Sequence, residues 1–265
     1  MFTRIITALI CIPFLLYIII KGGLILELSI ILIAMIGSRE IYRAFDKEYK
    51  PLKIPGYISV LSILISIIYR PDLLGPITGL TVIGTLITMV LRYPKYSIID
   101  VSVTVFGTFY IAFLFPFIYL IRDMSMGGFL VWLIFISAWG TDTFAYFTGT
   151  FIGKNKLVPK LSPNKTIEGA IGGIVGAALL SFVYTWAYGT YYNAQVLDYI
   201  LVIPVITLLA SVIAQIGDLT ASAIKRFLKV KDFGYILPGH GGIIDRFDSV
   251  LFTAPFIYFI LYLLI

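Results

Sequence analysis

The chain is 265 residues long, 60% hydrophobic and only 13% charged, with a mean hydropathy of +1.00. Its 20 Lys and Arg exceed its 14 Asp and Glu, for a formal net charge of +6. One cysteine, Cys11, and one histidine, His240, exclude a disulfide framework, a Cys-rich zinc site and any two-histidine metal centre.

A helix needs about 20 mostly apolar residues to cross a bilayer. In chain order, nine segments are candidates: 5–20, 24–37, 57–69, 74–91, 101–121, 129–152, 167–187, 198–222 and 249–265. The pattern predicts an all-α, polytopic integral membrane protein of about nine transmembrane helices. Residues 1–128 would hold five spans, and 129–265 the C-terminal region with both polar motif clusters. The first segment exceeds a signal-peptide core and lacks a small-residue cleavage site, so it reads as retained. Basic residues favour cytoplasmic loops. With nine spans only Lys21, Arg70 and Arg122 fall on one side, and the other 17 of the 20 Lys and Arg on the opposite one. The N-terminus is therefore expected in the cytoplasm and the C-terminus outside.

The first basic cluster, "SREIYRAFDKEYKPLK", has mixed charges and reads as a solvated amphipathic stretch within the 38–56 loop. The sixth segment and its exit, "SAWGTDTFAYFTGTFIGKNKLVPKLSPNKTIEG", differ. A helix puts Asp142, Tyr146, Gly149 and Gly153 on one face, and an intramembrane carboxylate is a functional candidate, the alternative being burial against a lysine of another helix. "GTFIGKN" has only three residues between its glycines and Asn155 after its lysine, which rules out a P-loop. In "LSPNKTIEG", Ser162 and Pro163 read as the N-cap and first position of the seventh helix. Lys165 would then sit in the first turn, opposing the helix dipole, and a bound phosphate would resolve that conflict; a lysine reaching solvent is the plainer alternative. Gly169, Gly172, Gly173 and Gly176 carry overlapping G-x-x-x-G spacings that suit close helix packing.

The eighth segment ends "AQIGDLTASAIKRFLK", with Asp218, Ser222, Lys225 and Lys229 on one stripe. "FGYILPGHGGIIDRFDS" then supplies a Gly-rich turn able to offer backbone N–H groups to an anion, followed by Asp245 and Asp248. Asp218, Asp245 and Asp248 can meet at one depth. Oxygen ligands of this kind suit Mg²⁺, which binds through one or two carboxylates plus substrate phosphates.

Ser222-x-x-Lys225-Arg226, Lys231-Asp232-x-Gly234, Leu237-Pro238-x-His240-Gly241-Gly242 and Asp245-Arg246-x-Asp248 together resemble the signature of the phosphatidate cytidylyltransferases, or CDP-diacylglycerol synthases. "SPNKTIEG" resembles the same family's second hallmark. The resemblance covers about residues 137–249 and implies transfer of CMP from CTP to phosphatidate, with pyrophosphate leaving. It assigns Asp218 and Asp245 to a catalytic Mg²⁺, with a monovalent ion such as K⁺ beside it, and implies a homodimer. The positive-inside count puts both motif clusters at the cytoplasmic face of the cell (inner) membrane, where the active site is expected. Asp142 and Asp248 are candidates for further ligation. Lys165, Lys225, Arg226 and Arg246 would compensate phosphate charge. Ser162, Thr166, Ser222, Lys231, Asp232, His240, Gly241 and Gly242 complete the candidate substrate contacts. CTP and a membrane lipid are the expected partners, and nucleic acid is not. Two rival readings are a CTP-dependent lipid kinase, which would release CDP, and an ion-coupled transporter, which predicts inverted repeats that the sequence lacks.

Overall fold

The computed structural model describes residues 2–264; Met1 and Ile265, the last residue of the ninth expected span, lie outside the described residues. Eleven α-helices and one short hairpin form the α and β elements among them. Helix dominates because a lipid-facing backbone must satisfy its polar groups internally. Among the described residues six helical stretches are long and apolar enough to cross a membrane: Pro71–Leu91, Ile98–Asp123, Gly127–Ile152, Ile167–Tyr191, Val202–Phe227 and Ile244–Leu264. They coincide with six of the nine expected segments. Leu9–Lys21 and Lys53–Tyr69 are shorter apolar helices.

The chain divides into two compact units, Met1–Asp123 with Phe227–Arg246, and Met124–Arg226 with Phe247–Ile265. The sequence puts the divide at 128/129 and keeps 227–246 with the C-terminal spans, whereas those residues group with the N-terminal helices.

The first unit holds α1 (Phe2–Lys21), α2 (Gly23–Phe45), α3 (Lys53–Tyr69), α4 (Leu74–Leu91), α5 (Ile98–Ala112) and α6 (Phe117–Asp123). Arg122 closes the α1–α2 turn: its Nε donates to the Ile19 carbonyl at 3.0 Å and its Nη2 to that of Ile20 at 3.1 Å. The expected 38–56 loop does not exist as such. α2 continues to Phe45, with Ser38, Glu40, Ile41, Tyr42, Ala44 and Phe45 buried and Arg39 and Arg43 exposed. The stretch is amphipathic, as its pattern suggests, but its inner face is core rather than solvated. Tyr42 packs against α3 and α5, and its hydroxyl shares a 2.6 Å hydrogen bond with Thr108 Oγ1. The chain leaving α2 is fastened to α5, since the Lys50 amide donates to Asp100 Oδ1 at 2.6 Å and the Leu52 amide to Thr104 Oγ1 at 2.8 Å.

In the second unit, α7 (Gly127–Phe135) passes through a π-helical turn, Ile136–Gly140, into α8 (Thr141–Ile152). The strands β1 (Lys156–Val158) and β2 (Ser162–Thr166) pair antiparallel, Lys156 opposite Thr166 and Val158 opposite Ser162. α9 (Ile167–Tyr191), a 3₁₀ segment Ala194–Tyr199, α10 (Val202–Phe227) and α11 (Ile244–Leu264) follow. The last two helices begin and end differently from the 198–222 and 249–265 segments. α10 gains a turn at its C-terminal end, and α11 starts at the polar motif itself.

The small-residue face of α9 lies on α8. A Cβ at Gly173 would sit 2.7 Å from the Thr141 carbonyl oxygen, a backbone atom that cannot yield. This is the close approach that the G-x-x-x-G spacing predicts. Gly173→Leu should therefore lower stability by about 1–3 kcal/mol through overpacking, although helix propensity alone favours leucine by nearly 1 kcal/mol. Thermal unfolding in detergent checks the sign: a melting point at or above that of the unsubstituted protein would mean the two helices do not touch there.

Candidate active site

Within the second unit, α8, the hairpin, α9 and α10 enclose a cavity of about 450 Å³. Asp142, Tyr146 and Gly149 line it from α8, Asn164, Lys165 and Thr166 from β2, Gly169 and Ala170 from α9, and Gln215 from α10. The helical stripe Asp142-Tyr146-Gly149 thus faces one space. Gly153, the fourth member expected on it, ends the helix in an extended conformation with φ −66° and ψ 126°. The π-helical turn comes immediately before Asp142. Such insertions re-phase the following helix and recur at functional sites.

The start of α9 corrects the sequence reading. Ser162 and Pro163 are not the cap and first helical residue, because "SPNKT" is strand β2. Thr166 is the N-cap, and its Oγ1 accepts from the Gly169 amide at 3.1 Å. The first turn carries Glu168, an acid that suits the positive end of the helix. Its carboxylate also accepts from the backbone amides of Lys154 and Asn155 at 3.1 and 3.2 Å, and from Asn155 Nδ2 at 2.7 Å. Lys165 precedes the cap, so no dipole conflict exists there. Pairing with β1 holds Ser162 to Thr166 extended, and Thr166, the last residue of the strand, takes the role.

Lys165 instead forms an ion pair with Asp218 Oδ2, both side chains being about a quarter exposed, 26% and 24%. Asp218 is thus a carboxylate set against a lysine from another element, the kind of partnership that the sequence raised for Asp142. Gln215, one turn earlier on α10, donates from Nε2 to the Ala170 carbonyl at 3.0 Å and fixes α10 against α9. Asp248 is only 8% exposed, and its Oδ1 accepts from the Ser249 amide at 2.8 Å. Asp218 and Asp142 both repel its charge while Lys225 offsets them. Asp142 Oδ2 is 3.5 Å from Ser249 Oγ. Ser222 lies one turn beyond Asp218, and Lys225 and Arg226 occupy the last turn of α10, where cations match the helix dipole. Lys229 leaves that stripe: it adopts a left-handed φ of 53° beyond the helix end and pairs with Glu48 at 3.1 Å.

The remaining candidates lie in the first unit. Leu237 to His240 form a tight turn, the His240 amide donating to the Leu237 carbonyl at 2.9 Å, with Gly239 at φ +77° in the position that only glycine takes readily. Thr7 Oγ1 donates to the Pro238 carbonyl at 3.0 Å. Asp245 is 7% exposed, and its Oδ2 accepts from the amides of Phe233 at 2.8 Å and Gly242 at 3.0 Å. The amides of Ile243 and Ile244 donate to Glu40, each at 3.0 Å. The expectation that this Gly-rich segment presents amides to an outside anion is corrected accordingly, since the protein's own carboxylates take those of residues 242–244. His240 Nδ1 is buried without a hydrogen-bond partner among the described residues. Lys231 and Arg246 are exposed, Asp232 is half-buried, and no ion pair joins Lys231 to Asp232 among the described residues.

Sequence reasoning missed Glu40 and Gln215. Glu40 stands in a run of mixed charges and looks solvated, yet it neighbours Gly37, Ile41 and Ala44 on the buried face of α2. That apolar periodicity is the signal that could have found it. Gln215 offers no comparable signal.

Among the described residues no group of three or more His, Cys, Asp or Glu is drawn together as a metal cage. Asp218 turns to Lys165, and Asp245 to its loop amides. The donor chemistry nevertheless suits Mg²⁺. Every candidate ligand is a carboxylate oxygen, Mg²⁺ needs only one or two of these beside phosphates and water, and a cation would relieve the repulsion that Asp142 and Asp218 exert on Asp248.

The profile of the cytidylyltransferase family matches residues 2–264. The phosphatidate cytidylyltransferases of Staphylococcus saprophyticus and Staphylococcus epidermidis are each 37% identical to this chain over 260 residues, 95% of both chains. That of Staphylococcus aureus is 37% identical over 265 residues with the same coverage.

The ion pair makes a prediction opposite in sign to the first-turn reading. Lys165→Met leaves the partly buried Asp218 charge without its ammonium partner and should cost about 1–3 kcal/mol, less than breaking a fully buried pair. Adding Asp218→Asn should restore part of that loss, as coupled residues do in a double-mutant cycle. Denaturant titration of the three variants would refute the pairing if Lys165→Met stabilised the protein or the losses simply added.

Proposed function

The chain belongs to the cytidylyltransferase family, and on that premise we propose that it transfers CMP from CTP to phosphatidate, giving CDP-diacylglycerol and pyrophosphate. The geometric observation that carries the reading is the Lys165–Asp218 pair beside a cavity that Asp142, Asn164 and Thr166 also line, in a unit of membrane-spanning helices. A cation held at a cavity by a carboxylate supports a phosphate-binding role for Lys165.

The residues divide the work as follows. Lys165, at the cavity, takes phosphate oxygens, and Lys225 and Arg226 at the end of α10 add positive charge for the triphosphate and the lipid phosphate. A phosphate monoester has a second pKa near 6, so at neutral pH the phosphatidate oxygen is already anionic and attacks the α-phosphorus in line without a general base. Pyrophosphate departs as this bond forms, with no covalent enzyme intermediate. Mg²⁺, assigned by motif to Asp218 and Asp245, would when bound neutralise triphosphate charge and stabilise the leaving pyrophosphate; K⁺ beside it belongs to the same proposal. Asp142 and Asp248 supply the surrounding negative field. Tyr146 and Thr166 shape the cavity, and Ser162, Ser222, Lys231, Asp232, His240, Gly241, Gly242 and Arg246 complete the proposed substrate contacts.

Nine spans, an N-terminus in the cytoplasm, a homodimeric assembly and a place in the inner membrane with the active site on the cytoplasmic face complete the proposal. The division of basic residues supports its orientation.

Incubation of the purified protein with phosphatidate vesicles and α-labelled CTP should move label into the lipid phase, while γ-labelled CTP should release labelled pyrophosphate and leave the lipid unlabelled. Label from the γ position in the lipid, with CDP as co-product, would establish the kinase reaction instead.

Orientation has its own test. In a Cys11→Ser background, a cysteine introduced between Lys154 and Lys165 should resist impermeant thiol reagents in intact cells, and one at Asn193 should react. The reverse pattern would put the site on the outer face.

A further inference from the structure

Glu40 is 3% exposed and has no Lys or Arg partner among the described residues. A buried carboxylate without a counter-ion is costly unless hydrogen bonds replace the lost water. Here the replacement is specific: one oxygen accepts from the Ile243 amide and the other from the Ile244 amide, each at 3.0 Å. These amides open α11, where N–H groups lack intrahelical acceptors and the helix dipole favours negative charge. The carboxylate also fills the space over two glycines of the motif. A Cβ at Gly234 would lie 2.2 Å from one Glu40 oxygen, and one at Gly242 2.5 Å from the other.

The next amide back, Gly242, donates to Asp245 Oδ2, which also holds the Phe233 amide. Glu40 and Asp245 therefore share one run of three consecutive amides, and their like charges act on each other. Each of the two Glu40 oxygens serves one of the two donors. A glutamine would offer one oxygen and turn an NH₂ group against the second N–H, so the geometry calls for a carboxylate in particular.

We propose that Glu40 is a positioning residue for the reaction: it fixes the turn into α11, and through that turn the orientation and charge environment of Asp245. The proposal rests on the reading of Asp245 as a reaction carboxylate. It gives the N-terminal helices a part in the chemistry, because α2 carries the acid that seats the motif loop.

The test uses the full-length protein in nanodiscs with two substitutions, Glu40→Gln, which removes one acceptor oxygen, and Glu40→Asp, which keeps both on a shorter stem. Hydrogen exchange of peptides covering residues 242–244, measured without substrate, should accelerate by about ten-fold in Glu40→Gln, the scale expected for an orphaned buried donor, while the α8–α9 region keeps its protection. Turnover should fall by a similar factor with little change in KM for CTP, the Mg²⁺ concentration for half-maximal activity should rise, and Glu40→Asp should recover part of each effect. Unchanged exchange at 242–244 would overturn the proposal, and so would loosened exchange with normal turnover. If Glu40→Gln fails to accumulate, the same readouts on Glu40→Asp decide, with wild-type values again overturning it. Full activity of Asp245→Asn would refute the role of Asp245 itself, a result distinguishable from the exchange measurement.

Discussion

A charge removed from water in an apolar protein must be met by something fixed, and the polar residues of this chain are arranged around that requirement. Asp218 is met by Lys165, Asp245 by the Phe233 and Gly242 amides, and Glu40 by the start of α11. The Lys165–Asp218 and Glu40 pairings join segments far apart in sequence, whereas that of Asp245 stays within the motif segment. Two of the three acids are met by backbone amides. An electron-rich set of oxygens is thereby kept in a chain that is 60% hydrophobic, and such a set suits a site that handles phosphates and their counter-cations.

Much of this was legible from sequence because hydrophobic runs and helical periodicity are local properties. The six long apolar helices, the stripe from Asp142 through Gly149 and the glycine face of α9 all follow from spacing alone. The start of α9 differs from the sequence reading for an equally local reason: Ser162, Asn164 and Thr166 are all competent caps, and only pairing with β1, a contact outside the motif, decides among them. Glu40 was missed because its burial depends on the motif loop some 200 positions away, with which it forms hydrogen bonds. Likewise the spacing of Asp218 and Asp245 marked them as candidates but did not show that Lys165 and the loop amides would be their partners. Local pattern finds which residues matter, while long-range pairing decides what they touch.

The grouping of Phe227–Arg246 with the N-terminal helices changes what the first half of the chain is for. Thr7 reaches the Pro238 carbonyl, Glu48 pairs with Lys229, and Glu40 holds the entry to α11. Three separate positions of α1, α2 and the turn after α2 thus touch the same motif-bearing segment. A loop containing several glycines is entropically expensive to order, and these contacts are what define its shape.

The length of α10 has a consequence for access. Its 26 residues rise about 39 Å at about 1.5 Å per residue, against a hydrocarbon layer about 30 Å thick. Counted from Val202, Asp218 lies about 24 Å along the axis and Arg226 about 36 Å. An upright helix that enters the layer at Val202 therefore carries its acid just inside the oily phase and its cations beyond it. A reactant confined to the bilayer and one confined to water would then reach neighbouring turns of a single helix without either crossing the phase boundary.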